Sequence, residues 1–205
     1  MSRVVLLSAS PSENSKTEAL LEFIARRLGQ YGHRTEFIKL RHLPAGPLLV
    51  GDGSDGLIAS ARDTVAAADA VAVGSPVFKA TYTGLLKVFV DLLPMDALHG
   101  KPVLPLLTGG SAAHVLALDY GLKPLLATLG ASAIGRGRFV SSKHILPATD
   151  TTPPSIDESV ELDVVDAIDQ FDSELTVRAR SCTHAEAADA ESLITSQITT
   201  DRNSS

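Results

Sequence analysis

The chain has 205 residues, 44% of them hydrophobic and 20% charged, with a formal net charge of −6. That length suits one globular domain, and the acidic balance argues against a nucleic-acid partner, which calls for a basic face. Cys182 is the single cysteine, which excludes an internal disulfide and a cysteine metal cluster.

No stretch reaches the roughly 20 apolar residues needed to span a bilayer. The apolar run in the N-terminal MSRVVLLSASPSE is too short for a signal peptide. The expectation is a cytoplasmic protein with no membrane contact.

Short apolar runs alternate with segments of helical period. Val4–Leu7 reads as a buried strand, and Leu20, Ile24 and Leu28 mark the helix after it. Thr35–Leu40 alternates like a more exposed strand, followed by a helix on Ile58, Ala61 and Val65. Ala70–Val73 is a second buried strand, and Leu86, Phe89 and Leu93 mark the next helix. Val103–Leu107 is the third buried run, followed by Leu122, Leu126 and Leu129 at helical spacing. Ile134–Val140 is a weaker fifth strand, and Val160, Val164, Ile168, Phe171 and Leu175 form a last helix. Strand–helix alternation repeated five times implies a parallel sheet covered on both faces, with right-handed crossovers.

Three features interrupt this regularity. Pro105 lies inside a buried run, where it forfeits a ladder hydrogen bond, so either the strand is bulged there or its boundary lies elsewhere. The proline-rich segment 141–155 reads as a lid or as a surface excursion. From about Ser181 the chain turns small, polar and acidic, which predicts a domain over 1–180 and a disordered tail over 181–205.

In open parallel sheets, ligands bind beyond the C-terminal strand ends where strand order reverses. Three loops leave such ends: SASPSENSKTE, GSPVFKATYTG and TGGSAAH. The first offers backbone N–H groups at a helix start, with Ser10, Ser15 and Thr17 as further donors for an anion. It matches neither GxxxxGK[ST] nor GxGxxG, so a phosphate monoester suits it better than a triphosphate or a pyrophosphate. Ser15-x-x-Glu18 is also a capping box, however, and Ser155-x-x-Glu158 repeats that pattern before the last helix with no reason to bind phosphate.

The second loop carries Pro76, Phe78, Lys79 and Tyr82, which serve either as walls for a planar ligand or as packing beneath the loop. In the third, Thr108, Gly109, Gly110 and Ser111 either bring backbone N–H groups close to a ligand or make a tight turn. His114 reads as structural, and the chain shows neither a metal-ligand spacing nor a Ser/His/Asp arrangement. Binding loops without an acid–base pair point to chemistry carried by a cofactor.

The stretch LALDYGLKPLL over 116–126 has helical spacing but contains Gly121 and Pro124. Pro124 has no N–H for the carbonyl of Tyr120, and Gly121 softens the turn, so a one-residue π-bulge is expected around Tyr120.

Taken together, SASP…SKT, SPVFKATYTGLLKVFVDLLP and KPVLPLLTGG…AHVLALDYGLKPLL resemble the NADPH-dependent FMN reductases over about residues 3–175. The resemblance is strongest to the branch serving alkanesulfonate assimilation. It implies a flavodoxin-like three-layer sandwich whose five-stranded parallel sheet has the order 2-1-3-4-5. It also implies a homodimer or homotetramer with FMN at a subunit interface, and a flavin-dependent monooxygenase as partner.

By the same resemblance, Ser10, Ser15 and Thr17 hold the FMN phosphate. Pro76, Val77, Phe78 and Lys79 run along the isoalloxazine, and Thr108, Gly109, Gly110 and Ser111 reach its pyrimidine side. Tyr120 lies in a π-helix at the interface, in a role tied to flavin release. Relatives often carry arginine where this chain has Ser12, which turns attention to Lys16, and tyrosine where it has Phe78. NADPH is the expected donor, with NADH also possible, and positioning the two rings is most of the catalysis. The alternative is an FMN-retaining protein, either an electron carrier like flavodoxin or a quinone or azo reductase.

Overall fold

A computed structural model describes residues 1–178. The expected tail at 181–205 and Cys182 lie outside the described residues. The chain begins with β1 (Arg3–Ser8), α1 (Lys16–Gln30) and β2 (Arg34–Lys39), followed by α2 (Ala45–Val50) and α3 (Gly56–Ala66). β3 (Ala70–Pro76), α4 (Gly84–Val90) and β4 (Pro102–Gly109) come next, then a π-turn (Leu118–Leu122) running into α5 (Lys123–Thr128). β5 (Ala133–Ile134), β6 (Arg138–Ser141), β7 (Ile145–Leu146) and β8 (Ser155–Ile156) lead to α6, helical over 158–178.

The main sheet is parallel throughout in the order β2-β1-β3-β4-β5, with β6 also paired to β4. Strand order reverses between β1 and β3, so the loops leaving these two strands flank the switch point. β1, β3 and β4 are buried on both faces, as their continuous apolar runs require, whereas β2 alternates at the edge. α1 and α6 pack on one face around Leu20, Ile24, Ile168 and Phe171. α3, α4 and α5 cover the other around Ile58, Leu86, Phe89 and Leu126. A fully buried phenylalanine such as Phe89 or Phe171 is worth about 3–5 kcal/mol against alanine. α2 carries no signal in the sequence, because Pro44, Gly46 and Pro47 read as a loop.

Pro105 is accommodated by its neighbour. Three steps along β4, from Val103 to Leu106, face four steps on the adjoining strand, from Ile134 to Arg138. The extra residue bulges β5 away from β6 beside the position that lacks an N–H. Gly137 turns this corner with φ +67°, and a Cβ there would fall 2.3 Å from the Pro105 carbonyl oxygen. The bulge therefore lies opposite the proline, and the expected fifth strand is two short ones.

The segment 141–155 is tied down at both ends rather than free. β7 pairs with β8, Ile145 and Ile156 are buried against α1, and Lys16 Nζ donates to the Ile145 carbonyl at 2.6 Å. This is a surface excursion with an exposed tip. Ser155 lies in β8 and caps nothing; Asp157 opens α6 instead, its carboxylate accepting from the Ser159 N–H at 2.9 Å.

Candidate active site

The three strand-end loops meet through side chains and backbone. Thr83 Oγ1 donates to the Ala9 carbonyl at 2.8 Å, which ties the loop after β3 to the loop after β1. Val77 N–H donates to the Thr108 carbonyl at 2.7 Å, which ties it to the end of β4. The hydroxyls of Thr17 and Thr108 pair at 2.7 Å and close the triangle. Both threonines are 1% exposed, so the structure makes them the brace beneath the crevice.

In the loop after β1, Ser10 is buried and its Oγ accepts from the Ser12 N–H at 3.3 Å. Ser15 is the N-cap of α1, with extended backbone, and its Oγ accepts from the Glu18 N–H at 3.1 Å. That bond uses a lone pair and leaves the hydroxyl proton available to a ligand. The reciprocal half of the expected capping box does not form. The Glu18 carboxylate instead accepts from Ser8 Oγ at 3.2 Å and Arg41 Nη2 at 3.1 Å. Lys16, offered by the sequence as a phosphate cation, is committed to the Ile145 carbonyl.

The loop after β3 holds a tight turn. Phe78 and Thr81 exchange backbone hydrogen bonds at 2.9 and 3.3 Å across Lys79 (φ 50°) and Ala80 (φ 70°). Positive φ at both central positions is the primed hairpin turn normally given to Asn-Gly. For L-residues it costs roughly 1–2 kcal/mol each. Among the described residues these are the non-glycine positions with positive φ. Strain of this kind gathers at ligand clamps. The two aromatics of the loop part company: Phe78 is 53% exposed beside the turn, whereas Tyr82 is partly buried against the core.

The loop after β4 assigns its glycines different tasks. A Cβ on Gly109 would meet the Phe139 ring at 3.1 Å and His114 Nδ1 at 3.3 Å, so Gly109 answers to packing. Gly110 opens onto free space, and Ser111 caps the short turn that ends at His114. Gly110 is thus the glycine of the pair whose backbone is open to close approach.

The broken helix is a π-turn over Leu118–Leu122, where Lys123 N–H donates to the Leu118 carbonyl five residues back. Gly121 has a steric reason beyond softness, since a Cβ there would fall 2.7 Å from Thr81 Oγ1. This contact seats the π-turn against the strained turn. Between them lies a groove of about 370 Å³, lined by Ala80, Thr81, Ala113, His114, Leu116 and Tyr120. Tyr120 is 81% exposed, with Leu116 and Val115 also exposed nearby in sequence. Among the described residues no three His, Cys, Asp or Glu side chains gather as a metal ion would need. No described helix is long and apolar enough to cross a membrane.

The parallel order β2-β1-β3-β4-β5 with helices on both faces is a flavodoxin-like α/β sandwich, and the three joined loops lie at the strand ends where ligands bind in that class. The family profile for NADPH-dependent FMN reductase matches residues 2–145. The chain is 37% identical to the FMN reductase (NADPH) of Pseudomonas putida, over 86% of this chain and 90% of that one. It is 38% identical to the FMN reductase (NADPH) of Escherichia coli, over 70% and 75% of the two chains. The NADH-dependent FMN reductase SfnE of Pseudomonas putida is 36% identical over 69% and 78%. Among solved structures, the apo form of the NADH:FMN oxidoreductase EMOB superposes with a TM-score of 0.76 at 38% identity, covering 86% of this chain and 90% of that one. The chain belongs to the NADPH-dependent FMN reductase family, and it is an oxidoreductase that uses FMN and NAD(P)H.

Proposed function

We propose that this reductase treats FMN as a dissociable substrate and releases it, reduced, to a flavin-dependent monooxygenase of sulfonate sulfur assimilation in the cytoplasm. The observation that carries the reading is the π-turn, which holds an 81%-exposed Tyr120 at the rim of the crevice. A helix gives up regular hydrogen bonding to make such a turn, and π-bulges concentrate at functional sites. Leu116 and Tyr120 line the groove and Phe78 is exposed on the loop after β3, apolar surface that a second copy of the chain would cover in a homodimer or homotetramer. Tyr120 of one protomer then reaches the flavin edge of the other and keeps binding loose.

Within the crevice, Ser10 and Ser15 bind the phosphate, with the backbone N–H groups at the start of α1. Pro76 to Lys79 lie along the ring, and Gly110 and Ser111 point N–H donors at its pyrimidine edge. Lys16, Thr17, Thr108 and Gly109 support this surface from behind. The flavin supplies hydride-accepting chemistry when bound; the chain's own contribution is to orient the two rings and exclude water. NADPH is the donor this reading prefers, although relatives named for either nucleotide resemble the chain.

Two measurements test this proposal: flavin content after gel filtration, and NADPH oxidation as a function of added FMN. The wild-type protein should emerge colourless, with FMN saturable as a substrate. Tyr120→Ala should stay folded, retain FMN and deliver it poorly to a monooxygenase. A Tyr120→Ala protein that emerges colourless and turns over at the wild-type rate sinks the release role. Wild-type turnover indifferent to added FMN, with flavin still bound, returns the protein to the carriers and quinone reductases.

A further inference from the structure

Glu18 puts a carboxylate where an anion is to be bound. It sits three residues after Ser15, in the first turn of α1, and its side chain is only 6% exposed. Negative charge at this place competes with a phosphate for the helix N-terminus. Its surroundings reverse the sign. Lys39 Nζ lies 3.0 Å from Oε2, Arg41 Nη2 donates to the same oxygen at 3.1 Å, and Arg41 Nη1 contacts Oε1. Ser8 Oγ adds a hydrogen bond to Oε1 at 3.2 Å. Two cations thus face one carboxylate and leave one formal positive charge, largely shielded from water.

The cluster lies directly beneath the phosphate loop. Ser8 is the last residue of β1, two before Ser10, and Lys39 is its partner across the β1–β2 ladder. The loop itself, residues 9–15, carries no basic residue and one acid, Glu13, and Lys16 is turned away to the Ile145 carbonyl. Positive charge for the phosphate is therefore available from below, from the exit of β2.

Resting on the reading of this loop as the FMN phosphate site, we propose that Glu18, Lys39 and Arg41 are positioning residues whose net charge sets how tightly FMN is held. Arg41 and Lys39 supply attraction through the loop, and Glu18 tempers it so that the flavin can leave. None of the three touches the phosphate. Because they act by charge, their effects depend on the anion, and salt screens the partly exposed Lys39 more than the more deeply buried Glu18 and Arg41.

The test is equilibrium titration of the apoprotein, followed by flavin fluorescence, with FMN and with riboflavin at low and high salt. Glu18→Gln should tighten FMN about tenfold and Arg41→Met should loosen it about tenfold, the scale of one shielded unit charge. The double variant Glu18→Gln/Arg41→Met restores the wild-type charge and should bind FMN within about twofold of wild type. Riboflavin affinity should stay unchanged in all three. A double variant as weak as Arg41→Met, or riboflavin moving in parallel with FMN, overturns the proposal and leaves a structural network. If Arg41→Met does not fold, Lys39→Met, whose side chain is 31% exposed, carries the same prediction of weaker FMN binding. Ser15→Ala separates the two levels. If it discriminates FMN from riboflavin while the charge variants do not, only this inference fails; if it does not, the phosphate loop itself is misassigned.

Discussion

Ser15-x-x-Glu18 and Ser155-x-x-Glu158 share one sequence pattern and fold in two ways. At α1 the serine is the N-cap, because the loop after β1 reaches the helix start with extended backbone at Ser15. At α6 the serine is drawn into β8, opposite Leu146, and Asp157 becomes the cap two residues later. Nor does either glutamate complete its box: Glu18 turns to Ser8, Lys39 and Arg41, and Glu158 is exposed. Such a pattern marks that a helix begins nearby. Which side chain caps it, and whether the cap has capacity left for a ligand, depends on the segment that feeds it: a loop at α1, a strand at α6.

The contrast between the two serines is broken most forcefully at Ser15. Ser15→Ala should weaken FMN binding by on the order of 1.5–3 kcal/mol, the range for a lost charge-assisted hydrogen bond. Loss of the cap should cost a further ~1 kcal/mol of folding stability. Riboflavin binding, measured in parallel, should be unchanged. Equal weakening of both flavins would make Ser15 a cap and nothing more, on the same footing as Asp157.

Much of this arrangement was legible in the residues. β1, β3 and β4 are continuous apolar runs because both their faces are covered, whereas a strand with one wet face, such as β2, alternates. Gly121 and Pro124 announced the π-turn. Other features left no local trace. The left-handed pair Lys79 and Ala80 is invisible, since neither residue type signals positive φ. Arg41 and Lys39 meet Glu18 only because β2 lies beside β1, a juxtaposition of residues more than 20 positions apart. The break between β5 and β6 belongs to Pro105 on the neighbouring strand, so a reading of Ile134–Val140 alone could not find it.

A smaller effect is expected at Asp157. Asp157→Ala should lower the melting temperature and leave the FMN and riboflavin affinities untouched, because its bonds to the Ser159 N–H and hydroxyl serve only α6. Those bonds, the hydroxyl first, hold the Asp157 carboxyl below its usual range. A depressed folded value means stabilisation that is present above the unfolded carboxylate value and lost as pH falls through the folded one. The acid limb of a melting-temperature profile, below about pH 4, should therefore be shallower in Asp157→Asn than in wild type. Identical profiles would show that Asp157 contributes nothing through its charge.

The smallest effect belongs to Ser155, and its smallness is the point. In β8 its backbone pairs with Leu146 while its side chain is exposed, so the hydroxyl has no helix N–H to serve. Ser155→Ala should leave stability within about 0.5 kcal/mol of wild type, as expected of a surface position free of caps and burial. Alanine is a poor strand former, but β8 is held by Ile156 in the core rather than by propensity. Chemical denaturation of Ser155→Ala beside Asp157→Ala decides which residue opens α6. A loss at Ser155 comparable to that at Asp157 would mean that the serine caps the helix after all. The contrast with Ser15 would then lie in the ligand alone, and the feeding segment would have no part in it.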